Sequence, residues 1–331
     1  MNYRELGKTG LKISEVGYGA WGIGGSMWIG AQDDESLAAL NRAFDLGVNF
    51  VDTALGYGDG HSEQVVGRAV AARPEEIYVA TKVPPKNGLW PAPKGIDPEE
   101  AFPADHVRKC VQMSLKNLGT ETIDVLQFHV WQDEWIGQGT WLEAVESFKK
   151  DGKIRFFGVS INDHQASSAV ALVETGLIDS VQVIYNIFDQ SPEDELFAAC
   201  EKAQVGVIAR VPYDEGSLTG RITPDTEFPE GDFRNTYFQG DRKKQVYERA
   251  QAIASDLDIT LEELPELALR FVLSNPAVST VIPGMRSLRN VDRNCAVADG
   301  RGLTAKQLEA LRAHRWERNF YGGTVDPEGS L

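Results

Sequence analysis

The sequence predicts an α/β barrel of eight parallel strands, on three observations. Short apolar runs alternate with amphipathic stretches of helical spacing eight times over, and such alternation demands right-handed crossovers and a parallel sheet. The 331 residues fit an eight-unit barrel with additions. No linker rich in Pro, Gly or Ser divides them, so residues 1–331 are expected to form one domain. An open six-stranded sheet with a second domain is the competing arrangement.

The elements follow in order. An N-terminal β-hairpin is expected within residues 3–13, and the first barrel strand at 16–20. Leu37, Leu40 and Phe44 recur at helical spacing after Asp33 and Asp34, Gly47 stops that helix, and a strand at 48–52 follows. Ser62 and Glu63 start a helix carrying Val65, Val66, Ala69 and Val70, before a strand at 77–82. Val107, Val111, Leu115 and Leu118 mark a helix ended by Gly119, before a strand at 123–128. Leu142, Val145 and Phe148 mark the next, ended by Gly152, before 154–159. A helix over 166–174 ends at Gly176 and leads to a strand at 180–185. Ser191 and Pro192 supply a cap and a first helical position ahead of a strand at 205–209. Thr260 opens a helix with Leu264, Leu267 and Phe271, before the last strand at 278–282. Long strand-end loops at 84–103 and 212–240 and a C-terminal tail complete the chain.

Composition narrows the function. Apolar residues make up 42% and charged residues 25%, which is ordinary for a globular chain and excludes wholesale disorder. The net charge of −16, with no run of five or six basic residues, repels a polyanion, so nucleic acid is not an expected partner. Cys110, Cys200 and Cys295 are odd in number and far apart, with neither zinc spacing nor a disulfide framework, so no metal is expected. No 18-residue apolar run suggests a membrane span, and the expected location is cytoplasmic. The oligomeric state is left open.

Gly17-Tyr18-Gly19-Ala20-Trp21-Gly22 matches GxGxxG after a strand, but no helix opens there to present amides to a pyrophosphate. It reads as a glycine-rich loop leaving the first strand. The chemistry lies elsewhere. Asp52, Lys82 and His129 stand at the ends of strands two, three and four, and Tyr57 follows in the loop after Asp52. Strand ends of this kind are where barrels build active sites. A lysine ammonium near a tyrosine lowers its pKa toward neutrality, an aspartate keeps that lysine charged, and a histidine donor can hold a carbonyl oxygen. Singly, each residue has a plainer role as cap, surface lysine, packing aromatic or core histidine. Together, they suit protonation of an oxygen while another group attacks the carbon.

Val51-Asp52-Thr53-Ala54, Gly56-Tyr57-Gly58, His61-Ser62-Glu63, Ala80-Thr81-Lys82 and Gln127-Phe128-His129 resemble the aldo-keto reductases, and the likeness runs from Tyr3-Arg4 to Ile282-Pro283-Gly284. The resemblance implies a (β/α)8 barrel without a Rossmann motif and reversible hydride transfer from NADPH to an aldehyde or ketone, NAD being the less favoured cofactor. It implies that Tyr57 is the acid, Lys82 and Asp52 its supporting pair, and His129 the carbonyl-orienting donor. It further implies that Ser160, Asn162 and Gln182 hold the nicotinamide carboxamide, and that Gly216, Ser217, Leu218 and Gly220 wrap the pyrophosphate. Gly284, Arg286, Asn290 and Asn294 would meet the adenosine phosphate and adenine. Arg210 departs from the commoner pattern. It falls where many relatives place a tyrosine on the nicotinamide, and it could stack there or reach a phosphate. Trp21, Trp90 and Trp131 are candidates for an aromatic mouth, which would suit sugars, aryl aldehydes and steroids alike. A cofactor-binding regulatory protein on the same barrel is the alternative, and a barrel glycosidase lacks its second carboxylate.

Overall fold

The computed structural model describes residues 1–321; residues 322–331, the end of the expected C-terminal tail, lie outside the described part. Strands β1 (Tyr3–Glu5) and β2 (Lys12–Ser14) pair antiparallel, Arg4 opposite Ile13. Eight parallel strands follow: β3 (Tyr18–Gly19), β4 (Phe50–Asp52), β5 (Tyr78–Val83), β6 (Ile123–Phe128), β7 (Ile154–Ser160), β8 (Ser180–Ile184), β9 (Gly206–Arg210) and β10 (Val278–Val281). Each pairs with its neighbour in sequence, and parallel bridges from Val16 to Val281 and from Gly19 to Gly284 join the ends into a (β/α)8 barrel. Strands β4, β5, β8 and β10 are buried along their whole length. Their near-continuous apolar runs are what a parallel sheet covered on both faces requires.

The first barrel strand is shorter in the ladder than the sequence suggests, because its glycines serve the seam. A Cβ on Gly19 would stand 2.5 Å from the Ile282 carbonyl oxygen. The chain then makes a 3-10 turn at Trp21–Ile23 instead of a helix. The GxGxxG match is thus a device for closing the barrel. At the opposite end the β1–β2 hairpin forms a plug, its Leu6, Leu11 and Ile13 packing with Phe50, Tyr78, Val125 and Ile208. Full burial of each such aliphatic side chain is worth about 1.5–3 kcal/mol.

Three helical expectations shift. Ser191 donates its hydroxyl to Asp189 at 2.6 Å and begins only a 3-10 turn, so the α-helix there starts at Leu196 and runs to Ala203. Thr260 gives both its N–H and its hydroxyl to the Glu263 carboxylate at 2.8 Å, which delays the next helix to Leu264–Ser274. The 166–174 segment is split between a 3-10 turn at Ala166–Ala169 and a helix at Val170–Thr175. The helix Arg242–Asp256 was not anticipated; only Val246, Ala250, Ile253 and Ala254 are buried on it, a narrow stripe among charges. Among the described residues no helix is long and apolar enough to cross a membrane.

Candidate active site

The four strand-end residues converge at the C-terminal end of the barrel. Asp52 and Lys82 end or nearly end β4 and β5, and both are buried. Lys82 Nζ donates to Asp52 Oδ1 at 2.6 Å and to the Thr53 carbonyl at 2.7 Å, with the Tyr57 hydroxyl at 3.4 Å. The other Asp52 oxygen accepts from Gln182 Nε2 at 2.7 Å and from Gln127 Nε2 at 3.4 Å. With both its oxygens engaged, Asp52 is set to anchor the ammonium and has no free face for work as a base. His129 follows β6, its ring centroid 5.5 Å from that of Tyr57.

The Tyr57 loop is held rigid by local packing. Gly58 has φ +65°, and a Cβ there would stand 2.0 Å from the Gly24 carbonyl oxygen, so the two backbones touch where only glycine fits. The Tyr57 carbonyl accepts from Ser62 N at 3.2 Å, and Ser62 Oγ donates to the Ala20 carbonyl at 2.9 Å. Glu63, wholly buried, accepts from the Thr81 hydroxyl at 2.6 Å and from Asn117 Nδ2 at 2.8 Å, pinning the helix His61–Ala71 to β5 and to the helix Ala104–Leu118.

Burial sets the protonation states. It raises the Tyr57 hydroxyl pKa well above the usual tyrosine value, with the Asp52 charge adding to the rise. This differs from the sequence expectation of a tyrosine drawn toward neutrality. The reason is burial of the hydroxyl first, while Lys82 spends its short bonds on Asp52 and Thr53 and leaves the phenol only a long one. Desolvation also lowers the Lys82 pKa, against the Asp52 attraction, and it lowers His129 well below the usual histidine range with help from Lys82 and Arg210. His129 is therefore a neutral imidazole, its Nδ1 buried without a partner. The site can present a protonated phenol and an imidazole to one small polar atom.

The mouth is aromatic. Trp21 lies 6.3 Å from Tyr57 and 5.5 Å from Phe233, ring centre to ring centre. Trp90, 44% exposed, meets His129 edge-on at 4.3 Å. Trp131 does not belong to this mouth. It is wholly buried, donates to Asp133 and packs edge-on against Trp135 and Trp141, because the chain turns inward directly after His129.

The expected cofactor residues form an arc over β7 to β10, with several differences of detail. Ser160 ends β7 and is buried. Asn162 is engaged by Ala92: its Oδ1 accepts from Ala92 N and its Nδ2 donates to the Ala92 carbonyl, both at 3.2 Å. Gln182 turns its Nε2 to Asp52, as above. The amides of Gly216 and Leu218 donate to the Tyr213 carbonyl at 3.0 Å, so these two are not aimed outward. Gly220, at φ +68°, packs against the Leu261 carbonyl, and Leu218 is buried. Arg210 donates to the Ile161 carbonyl and to Asp163 instead of standing free. Gly284 is exposed beyond β10, and Arg286 donates to the Ile29 carbonyl at 3.0 Å. Asn290 sits in the first turn of the helix Leu288–Ala296, its N–H capped by Ser287. Asn294 accepts from the Tyr213 hydroxyl at 2.7 Å. Ser217 Oγ, Asn294 Nδ2 and Arg210 Nε are buried polar atoms without partners. Orphans of this kind are costly unless a ligand satisfies them, so the arc fits a phosphorylated dinucleotide.

Sequence reasoning missed a third group. Residues 316–321 return to the cleft, where Arg318 pairs with buried Asp214 and the Tyr321 hydroxyl donates to Glu215 at 2.5 Å. Burial, with Asp214 adding to it and Tyr321 opposing it, pushes Glu215 up to about 7. Tyr321 also stacks on Phe233. No local pattern announces these partners.

Comparison with known proteins agrees with this architecture. The sequence profile described as Aldo/keto reductase family matches residues 15–315. An uncharacterized oxidoreductase of Bacillus subtilis is 31% identical over 322 residues, covering 95% of this chain and 96% of its own. The NADH-specific methylglyoxal reductase of Escherichia coli is 30% identical over 305 residues, covering 88% and 91%. Among solved structures, the glycerol dehydrogenase of Gluconobacter oxydans is similar with a TM-score of 0.74 at 29% identity, over 95% of this chain and 94% of that one. On the profile, the relatives and the barrel together, the chain belongs to the aldo/keto reductase family, the oxidoreductases of NAD(P)-dependent carbonyl reduction.

Proposed function

We propose that this protein reduces aldehydes or ketones to alcohols with NADPH, with Tyr57 as the general acid. The observation that carries the reading is the contact of the Tyr57 hydroxyl with the buried Lys82–Asp52 pair beside neutral His129. The carbonyl oxygen accepts a hydrogen bond from His129 and a proton from the Tyr57 hydroxyl. The reduced nicotinamide supplies the hydride when bound. Lys82, 5.0 Å from the Tyr57 ring centre, stabilises the phenolate left behind, and Asp52 holds Lys82 in place. Both changes of charge occur away from bulk water, where fixed charges act most strongly.

Ser160, Asn162 and Gln182 surround the nicotinamide end. Ser217 and Asn294, with their unpartnered atoms, take the phosphate and adenine end, and Arg210 lies between the two groups. NADPH is favoured over NADH by Arg286, a half-buried guanidinium just before the helix Leu288–Ala296, where cation and helix N-terminus together suit a 2′-phosphate. The test is oxidation of NADPH with a panel of aldehydes and ketones by wild type and Tyr57→Phe. Turnover by wild type and its loss in the variant are expected. An enzyme that turns over equally well without the phenol refutes the assignment, and a bound NADPH that no carbonyl oxidises refutes the activity.

A further inference from the structure

Asp163 lies outside the strand-end set, yet it joins the two sides of the cleft. It follows Asn162 in the loop after β7 and is 3% exposed. Its Oδ1 accepts from Arg210 Nη2 at 2.7 Å, and its Oδ2 accepts from the Trp90 indole N–H at 3.3 Å. Arg210 belongs to the cofactor side, whereas Trp90 is the exposed wall that meets His129. Next to it, Asn162 grips both peptide groups of Ala92, and Gln132 Nε2 donates to the same Ala92 carbonyl at 2.6 Å. The 84–103 loop thus reaches the cleft as a long excursion and is fastened there at two residues that flank Pro91, Trp90 and Ala92.

We propose that Asp163 is a positioning residue that sets substrate specificity, because it holds Trp90 as the wall against the carbonyl substrate's bulky side while fixing Arg210 on the cofactor side. The inference rests on the reading that Tyr57 and His129 receive the carbonyl. A carboxylate offers two oxygens and only accepts, so it serves the guanidinium and the indole at once. An asparagine has one oxygen, so it satisfies Arg210 or Trp90 but not both. Arg210 is the charged donor with the shorter bond, so it keeps the oxygen and Trp90 is released. A freed indole leaves the face of the cleft that an aryl group would lie against, and a small aldehyde loses less by its departure.

The test compares benzaldehyde with propanal, using NADPH, in wild type, Asp163→Asn, Trp90→Phe and Tyr57→Phe. The ratio of kcat/KM for benzaldehyde over that for propanal should fall roughly ten-fold in Asp163→Asn, through KM, as expected for one lost hydrogen bond to a charged group. Trp90→Phe keeps a ring but lacks the N–H, and its ratio should fall in the same direction. NADPH affinity, read from quenching of protein fluorescence, should stay within a few-fold of wild type in Asp163→Asn, because Arg210 keeps its hydrogen bond. A parallel fall for both aldehydes, or an unmoved ratio in Trp90→Phe, overturns the proposal. Should Asp163→Asn fail to fold, the Trp90→Phe ratio still decides. Tyr57→Phe separates the two levels: an active Tyr57→Phe enzyme overturns the underlying site, whereas an inactive one with an unmoved ratio in the other variants overturns only the role of Asp163.

Discussion

Replacing Tyr57 with phenylalanine removes one oxygen and leaves the ring. The structure sets what should and should not change. Among the described residues the hydroxyl makes one hydrogen bond, 3.4 Å from Lys82 Nζ, and Lys82 keeps its two shorter bonds to Asp52 and Thr53. Loss of one such long hydrogen bond costs at most about 1 kcal/mol of folding free energy, and the variant escapes the burial of a polar group. Its melting temperature should therefore shift by no more than about 2–4 °C. Turnover should respond very differently. General acid catalysis contributes about 10²- to 10⁴-fold, or about 2.7–5.4 kcal/mol of barrier. Stopped-flow measurement of NADPH oxidation at saturating aldehyde should show a loss of at least about 10²-fold, with the nucleotide affinity retained. Because the Tyr57 pKa stands well above its usual value and His129 well below, neither group contributes a pH limb between about pH 6 and 9 in wild type. A variant within a few-fold of the wild-type rate, or one that loses NADPH affinity in proportion to its rate, would show that the phenol is not the proton donor.

Asp52→Asn keeps the shape but not the charge that anchors Lys82, so kcat should fall about ten- to a hundred-fold; a large drop in melting temperature at unchanged specific activity would make Asp52 structural. Arg286→Ala should weaken NADPH binding roughly ten- to a hundred-fold with little effect on NADH, and isothermal titration with both nucleotides checks it. Glu215 is raised to about 7 in the folded protein from an ordinary carboxyl value, so the folded state holds a proton that the unfolded state has lost. Stability should accordingly fall as pH rises from about 4.5 through 7, by as much as about 3 kcal/mol, and Glu215→Gln should flatten that slope in urea melts at pH 5 and 7.5. An identical slope in the two proteins would place the titration elsewhere.

The barrel was legible because each strand announces itself twice, by a run of residues such as Val79-Ala80-Thr81-Lys82-Val83 buried on both faces and by the glycine that stops the preceding helix. Asp52, Lys82 and His129 were legible for the same reason, since a polar residue at the end of an apolar run has nowhere to point but the cleft. The protonation of Tyr57 was not, because it depends on how deeply the fold buries its hydroxyl and on the Asp52 charge beside it. Asn162 was placed after its strand and Gln182 on its own, but their partners, Ala92 and Asp52, stand 70 and 130 residues away. Asp163 carries no local signal, because its partners Trp90 and Arg210 stand 73 and 47 residues away. The helix Arg242–Asp256 escaped because its buried stripe is too narrow to stand out from its charged neighbours.

The pairing of Arg318 with Asp214 has a consequence in time. The two residues are 104 positions apart, so at about 5–20 residues per second the carboxylate precedes its guanidinium by roughly 5–20 s during synthesis. Throughout that interval Asp214 and its neighbour Glu215 have no partner from the returning segment, and an unmatched buried charge costs about 3–5 kcal/mol. The loop that carries Gly216 to Gly220 therefore stays unset until after the last barrel strand, Val278–Val281, has been made. A nascent chain at that stage owns its barrel but not a finished cleft, and residues 316–321 act as the last stitch. A chain clipped before Arg318 would remain at that stage permanently.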